Sequence, residues 1–380
     1  MSGESNTGCA VDEPGKTWLL SLNTPPDPPA RVRVYLLTYR RPGLLRRAVQ
    51  SLRAQTFTDW ICELHNDDPT DPDPADLVRE LGDPRILLRS HERNLGAAAS
   101  FNLVFSPVQE PFVSLLEDDN WWEPALLTRL LDELGSRPQC EIAWANMRLW
   151  REEPDEGWTD TGRTIWPVVP RPALTMAWPQ PLQIDTPLHS NGAMLVRSAG
   201  IERLCAPATI PFDLIEPFRE RIFRYPLVFV PEPLANFALT RETARAHHAG
   251  DWLESQTLQA ASFLKHTCLD SAAIKRLWRA RGEASPPGTP PLFFAGLLEP
   301  SSGFLRGATA RDWLRFFCGL LRHPRLAARA LAARRRRVEF WQDLVHVTRE
   351  AGRRAVAPAD IAAGVLASRD DLPAVFNALQ

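Results

Sequence analysis

The stretch LLEDDNWWEP, residues 115–124, ends an apolar run in three consecutive acids, Glu117, Asp118 and Asp119, and then places Trp121 and Trp122. Three adjacent carboxylates repel one another, so their clustering needs a cause. One cause is a hard divalent cation such as Mg2+ or Mn2+, which takes oxygen ligands and keeps positions open for phosphate. The other is a solvated turn ahead of the next helix, whose N-terminal dipole favours acids such as Asp119 and Glu123. The two tryptophans also have two readings, as a wall beside the acids or as core packing of the following helix.

A second acidic loop, HNDDPTD at 65–71, follows another apolar run. Asp67 or Asp68 there could accept from a base N–H or a ribose hydroxyl, as acids after strands do in nucleotide-binding folds. An ordinary Asn/Asp/Pro turn has the same composition.

These loops need a scaffold that brings them together. VRVYLLT (32–38), WICELH (60–65), RILLRS (85–90) and PFVSLLE (111–117) are predicted strands. Between them, PGLLRRAVQSLRAQ (42–55), residues 75–81 and AAASFNLVF (97–105) are predicted helices, the first with Pro42 where a missing N–H costs nothing. After the acids come a predicted helix at 123–137 and a strand at 141–150. Alternation at this spacing implies βαβ units, an α/β class and a mostly parallel sheet flanked by helices. Ligands collect at the carboxyl ends of such strands, where Thr38–Arg41, Asn66–Asp71, His91–Gly96 and Glu117–Asn120 all fall. Residues 151–186 are rich in Pro and Trp without a clear period and read as a long loop. A helix around 213–224 and strands at 191–197 and 226–240 follow, and the pattern is mainly helical from about 245.

The bulk composition narrows the classes. Of 380 residues, 44% are hydrophobic and 24% charged, which supports a globular core. A net charge of -2 argues against a general electrostatic preference for nucleic acid. The six cysteines are scattered without a CxxC or zinc spacing, consistent with reduced thiols and a cytoplasmic protein. No signal peptide is evident, and no apolar run approaches the ~20 residues that span a bilayer. AVDEPGKT (10–17) loosely fits a phosphate-binding loop, but it lacks the buried strand before it and the helix after it.

The segments LLTYRRPGLLRRAVQSLRAQTFTDWICELHNDDPTD, RNLGAAASFN and VSLLEDDNWWEP together resemble the family 2 glycosyltransferases of the Rossmann-like GT-A fold. They are similar to that family's T-Y-N-R-P strand end, D-D-G-S-T-D turn, N-x-G segment and D-x-D motif, in order and spacing, over about residues 31–240. The resemblance implies transfer of one sugar from a nucleotide-diphosphate donor, a UDP-sugar by default, to an acceptor hydroxyl with inversion. The acceptor would be a saccharide, lipid-linked or other hydroxyl, in cell-surface polysaccharide, glycolipid or other glycoconjugate synthesis. It implies Thr38, Tyr39, Arg41, Asn66, Asp67 and Asn94 against the donor, with Asp67 recognising the base. Asp118 would face ribose or metal, and Asp119, with Glu117 beside it, would bind the Mn2+ or Mg2+ that bridges the diphosphate.

The sequence departs from the family pattern at several places. Arg40 replaces the usual Asn, Asn66 the first Asp, Asp68-Pro69 the Gly-Ser, and Glu117 the first acid of D-x-D. Inversion needs a base to deprotonate the acceptor, and the family's Glu-Asp pair is missing from PFDLIEPFRERIFRYPLVFVPEPL. Glu216 or Asp213 must then serve, with Glu216 preferred because Asp213 could equally cap the helix. IDTPLHSNGAMLVR (184–197) is similar to the acceptor-side loop, so His189 and Asn191 are candidate contacts. The family's processive Q-x-x-R-W motif is missing.

The expected organisation is a flexible leader over 1–30, a GT-A domain over 31–245 and a mainly helical region over 246–380. The basic run RHPRLAARALAARRRR (322–337) is a solvated helical face, a site for nucleic acid, or a peripheral contact with an anionic membrane at its inner face. Two rivals remain: a non-catalytic nucleotide- or sugar-binding relative, and a nucleotidyltransferase. The latter wants a Gly-rich loop that TYRRPG does not supply.

Overall fold

The computed structural model describes residues 20–22, 30–154, 157–166, 168, 172–179, 181–184, 191–241, 249–284 and 291–354. The stretch 10–17, most of the expected leader, His189 and His247-His248 lie outside the described residues. In chain order the strands are β1 (Leu20–Leu22), β2 (Val32–Thr38), β3 (Trp60–Asn66), β4 (Ile86–Ser90), β5 (Phe112–Glu117), β6 (Trp121–Trp122), β7 (Ile142–Glu152), β8 (Trp158–Thr164), β9 (Leu174–Met176), β10 (Met194–Arg197) and β11 (Leu227–Leu239). The helices are α1 (Pro42–Arg53), α2 (Asp73–Leu81), α3 (Ala97–Leu103), α4 (Leu126–Ser136), α5 (Ile215–Glu220), α6 (Ala249–His266), α7 (Ser271–Ala284), α8 (Pro291–Leu298), α9 (Ala310–Arg322), α10 (Pro324–Arg336) and α11 (Val338–Arg354). They fall into two compact units, Met1–Thr161 with Ser190–Ala208 and Pro233–Thr240, and Gly162–His189 with Thr209–Glu232 and Arg241–Gln380.

The first unit is a mixed sheet with helices against it. Its heart is four parallel strands in the order β4-β3-β2-β5, registered through Val32↔Trp60, Val32↔Phe112 and Cys62↔Ile86. Strand β2 is apolar almost throughout because it is buried on both faces, as central parallel strands are. Helix α1 starts at Pro42 and turns Leu45, Ala48, Val49 and Leu52 inward, the spacing of one helical stripe. Helix α2 ends at Gly82, whose φ of 55° is the left-handed cap a glycine adopts without a Cβ clash.

Beyond this heart the strands are antiparallel: β1 on β4, β10 on β5 and β7, and β6 on residues 235–236 of β11. Two expectations need correction. Leu20–Leu22, within the expected leader, forms an edge strand. The expected long loop of 151–186 holds β8 and β9, and Thr161 of β8 donates its hydroxyl to Leu149 O at 2.7 Å.

In the second unit, β9 pairs with residues 227–229 of β11, and α6 is buried along Leu253, Leu258, Phe263 and most residues between. Such all-round burial marks a central helix, and α8, α10 and α11 pack on it. Trp278, Phe293, Phe304, Trp313 and Phe316 form an aromatic cluster beside it. Four arginines of the basic run are drawn into ion pairs. Arg329 and Arg337 hold both Asp251 and Glu254 of α6, Arg336 holds Glu254 at 2.8 Å, and Arg334 holds Glu299.

Candidate active site

The carboxyl ends of β2 and β5 place Thr38 beside Asp118. The Thr38 hydroxyl donates to Asp118 Oδ2 at 2.9 Å, and the Tyr39 N–H donates to the same oxygen at 3.3 Å. Arg41 Nη1 lies 3.5 Å from Asp118 Oδ1 and 2.9 Å from Asp119 Oδ2. Burial, and then the Asp119 charge, push Asp118 up to about 7 against the pull of Arg41 and the two hydrogen bonds. Burial raises Asp119 as well, although Arg41 and Arg47 oppose it. The two carboxylates share Arg41, and Arg47 approaches Asp119 from the other side through its carbonyl oxygen.

That donor chemistry fits a hard cation held by two carboxylates and completed by phosphate and water oxygens. It does not extend to Glu117, whose carboxylate takes the Asn120 amide and closes the turn. Asn120 in turn accepts from Ala238 N at 3.0 Å. Among the described residues, no group of three His, Cys, Asp or Glu side chains is arranged around one ion position. The helix-capping account of the acids also fails. Helix α4 begins after Ala125, carries no acid in its first turn, and has no side-chain cap.

The two tryptophans divide their roles. Trp122 is core: its N–H reaches Ser51 Oγ at 3.1 Å and its indole N–H reaches Gly192 O at 2.7 Å. Trp121 faces Arg47, whose guanidinium carbon sits 3.8 Å from the Trp121 ring centre and 4.1 Å from that of Trp158. Arg47 donates to Asp119 O at 2.7 Å, and burial pulls it down to about 10 while Asp119 acts the other way. Sequence reasoning missed Arg47, because Arg46-Arg47 has the look of a solvated helical face and Trp158 falls in the supposed loop.

The second acidic loop is already engaged. Asp67 accepts from Leu95 N at 2.7 Å, Gly96 N at 3.2 Å and the Ser100 hydroxyl at 3.1 Å. The carboxylate expected to read the base thus anchors the loop ahead of α3. Asn66 accepts from Asp68 N at 3.0 Å and donates to Asp71 O at 2.9 Å, shaping the turn. Asp68 pairs with Arg40 and accepts from Thr70, which hold its carboxyl down to about 2. Arg40 has a φ of 55°, the left-handed conformation that asparagine tolerates better than other side chains. Arg40 also reaches over the Tyr39 ring, 5.1 Å from its centre. Tyr39 is 43% exposed, and Asn94 is exposed on the loop that Asp67 holds.

Asn191 is buried in the first unit, next to the Gly192 carbonyl that receives Trp122. Glu216, half-buried in the first turn of α5, and Asp213, exposed in the short turn before it, both belong to the second unit. Asp213 does not hold the cap position of α5, which is Leu214. A carboxylate that sequence reasoning passed over is Glu220. It is 3% exposed and receives the Gln183 amide and, at 3.0 Å, the Tyr225 hydroxyl.

Residues 34–191 match a family model described as Glycosyl transferase family 2. Over 101 residues the chain is 29% identical to the putative colanic acid biosynthesis glycosyl transferase WcaA of Escherichia coli, covering 26% of this chain and 36% of that protein. Over 122 residues it is 28% identical to the succinoglycan biosynthesis protein ExoW of Rhizobium meliloti, covering 31% of this chain and 38% of the other. A crystal structure of S. aureus TarS in complex with UDP-GlcNAc aligns at a TM-score of 0.48 and 12% identity, over 84% of this chain and 92% of that one. The match spans little more than a third of either curated relative.

Proposed function

We propose that the chain, which matches the glycosyl transferase family 2 model over residues 34–191, moves a single sugar from a nucleotide-diphosphate donor to an acceptor hydroxyl with inversion. The observation that carries the reading is the adjacent carboxylates of Asp118, buried, and Asp119, half-buried, just beyond the carboxyl end of β5 and beside Thr38, Tyr39 and Arg41. Asp118 and Asp119 would hold Mn2+ or Mg2+, which when bound supplies Lewis-acid stabilisation to a departing diphosphate. Tyr39 offers an exposed ring for the base, and Arg41 a cation for the phosphates. Asp67 orders the loop carrying Asn94, so its part in base recognition is indirect.

In the proposed reaction the acceptor oxygen forms a bond to the anomeric carbon as the bond from that carbon to the diphosphate oxygen breaks. Glu216 takes the acceptor proton, with Asp213 as the second candidate. Asn191 and His189 belong to the acceptor side. Relatives named for colanic acid and succinoglycan biosynthesis support a product in polysaccharide assembly, and a UDP-sugar is the first donor to test. The catalytic region would span 31–245, followed by a helical region over 246–380, and the setting would be cytoplasmic. A nucleotide- or sugar-binding relative without catalysis is the second reading, favoured by the missing Glu-Asp pair.

Thermal unfolding with UDP, GDP, dTDP and CDP, each with and without Mn2+, tests the donor site, because a ligand of the folded state raises its melting temperature. One nucleotide should stabilise the wild type only with metal, and Asp119→Ala should lose that gain. No shift with any nucleotide at saturation rejects the transferase reading and points to a degenerate donor site, as in a non-catalytic sugar-binding relative. A shift without turnover on any donor and acceptor favours the second.

A further inference from the structure

Three of the five arginines of α10 are held in ion pairs, but none of the three of α9 is. Arg311, Arg315 and Arg322 are exposed and form no hydrogen bond or ion pair among the described residues. They recur at i, i+4 and i+11, one row along the helix. Beside that row run Leu314, Phe317 and Leu321, at i, i+3 and i+7, which are 64%, 52% and 83% exposed. Single exposed apolar residues are ordinary. Three on one stripe, bordered by a row of unpaired cations, are a surface.

The opposite face of α9 explains why the helix is held in place. Phe316 is buried against Phe293, ring centres 4.6 Å apart, and Trp313 packs on Phe293 at 5.2 Å. The only acid of α9, Asp312, is closed in a capping box with Thr309. α10 contains no acid at all. Neither α9 nor α10 therefore sets a free acid against the apolar stripe and its arginines.

We propose that α9 is a membrane-docking helix. It lies in the plane of an anionic bilayer, with Leu314, Phe317 and Leu321 sunk into the acyl boundary and Arg311, Arg315 and Arg322 on the lipid phosphates. Charge selects this occupant. A second copy of the chain on the same face would set like-charged rows against each other, whereas an anionic lipid surface complements both the row and the stripe. Thirteen residues of helix span only about 20 Å, a length suited to lying on a bilayer. The proposal shifts the expected membrane contact from the body of the 322–337 run to α9, which ends at its first residue, Arg322, and it stands apart from the donor-site reading.

Co-sedimentation of the full chain with phosphatidylcholine vesicles, with and without phosphatidylglycerol, is the test. The wild type should bind vesicles containing phosphatidylglycerol, and binding should weaken as salt shortens the Debye length from about 10 Å at 0.1 M. Replacing Arg311, Arg315 or Arg322 by Gln should each cost about fivefold in partitioning. Leu314→Gln with Leu321→Gln should abolish binding without changing the melting temperature, since both side chains are largely in water. Arg336→Gln, on the neighbouring helix and hydrogen-bonded to Glu254 at 2.8 Å, should leave it unchanged. Undiminished binding by the double leucine variant overturns the proposal, as does absence of wild-type binding at low salt. Concentration-dependent self-association that the double variant abolishes would assign the face to a second copy instead.

Discussion

Asp67, directly after β3, carries a carboxylate that two backbone N–H groups and a hydroxyl already occupy. Its position in the family-like turn suggests base recognition, while its contacts make it an anchor for the loop ahead of α3. Removing the carboxylate leaves donors of Leu95, Gly96 and Ser100 without a partner, and hydrogen bonds to a charged group are worth about 1.5–3 kcal/mol. Asp67→Ala should therefore lower unfolding free energy by about 2–3 kcal/mol in urea titrations without any nucleotide. A loss below about 0.5 kcal/mol, the usual range for an uninvolved surface site, would return Asp67 to direct base reading. Much of this scale is legible in the sequence: Thr38, Arg41, Asp118 and Asp119 do converge on one sheet edge. The part that is not legible depends on what each carboxylate touches. Glu117 and Asp118 look alike in the string EDDN, yet one closes a turn on Asn120 and the other meets Thr38, eighty residues upstream.

Among the elements, those buried on both faces are the readable ones. β2, β3, β4 and β5 are near-continuous apolar runs, so their limits differ from expectation by a residue or so. β6 has two residues, β9 has three, and WTDTGRT of β8 is polar, so none offers a period to detect. The basic run shows the same limit. Its charge is plain, but its partners Asp251 and Glu254 lie 75 or more residues away on α6. Burial acts to raise Glu254, yet Arg329, Arg337 and Arg336 more than offset it, and its carboxyl falls from 4.5 to about 2. A group depressed in the folded state stabilises above its unfolded pKa and loses that stabilisation as pH falls through the folded one. A depression of that size corresponds to roughly 3 kcal/mol. Paired unfolding curves of wild type and Glu254→Gln should differ by a constant amount above pH 4.5 and converge as pH falls toward about 2. A difference that stays level across that window would mean the three arginines do not act through the Glu254 charge.

At the scale of the whole molecule, the break in hydrophobic pattern near residue 245 suggests a separate helical region, but the contacts gather a different set. The second unit includes 162–189 and 209–232 along with everything from 241. Arg221, 1% exposed, donates to Ser262 Oγ at 2.7 Å, Gln259 O at 2.9 Å and Thr348 Oγ1 at 3.1 Å, binding α6 to α11 from outside the 246–380 segment. Burial pulls its guanidinium down to about 10, against Glu220, so it remains charged at neutral pH and needs those acceptors. Trp178 packs on Phe263 with ring centres 5.6 Å apart and on Tyr225 at 5.7 Å. A fragment beginning at 246 would expose the Phe263 face of α6 and strand the polar groups that Arg221 satisfies. Losing a large aromatic contact costs about 3–5 kcal/mol, and losing a hydrogen bond to a charged group about 1.5–3 kcal/mol more. Together these approach the 5–15 kcal/mol that stabilises a typical domain. A fragment of residues 246–380 should therefore show helical circular dichroism without a cooperative thermal transition, while one beginning at 162 should unfold cooperatively. A sharp transition in the shorter fragment would show that the helices from α6 onward make a core of their own, with Arg221 and Trp178 as additions to it.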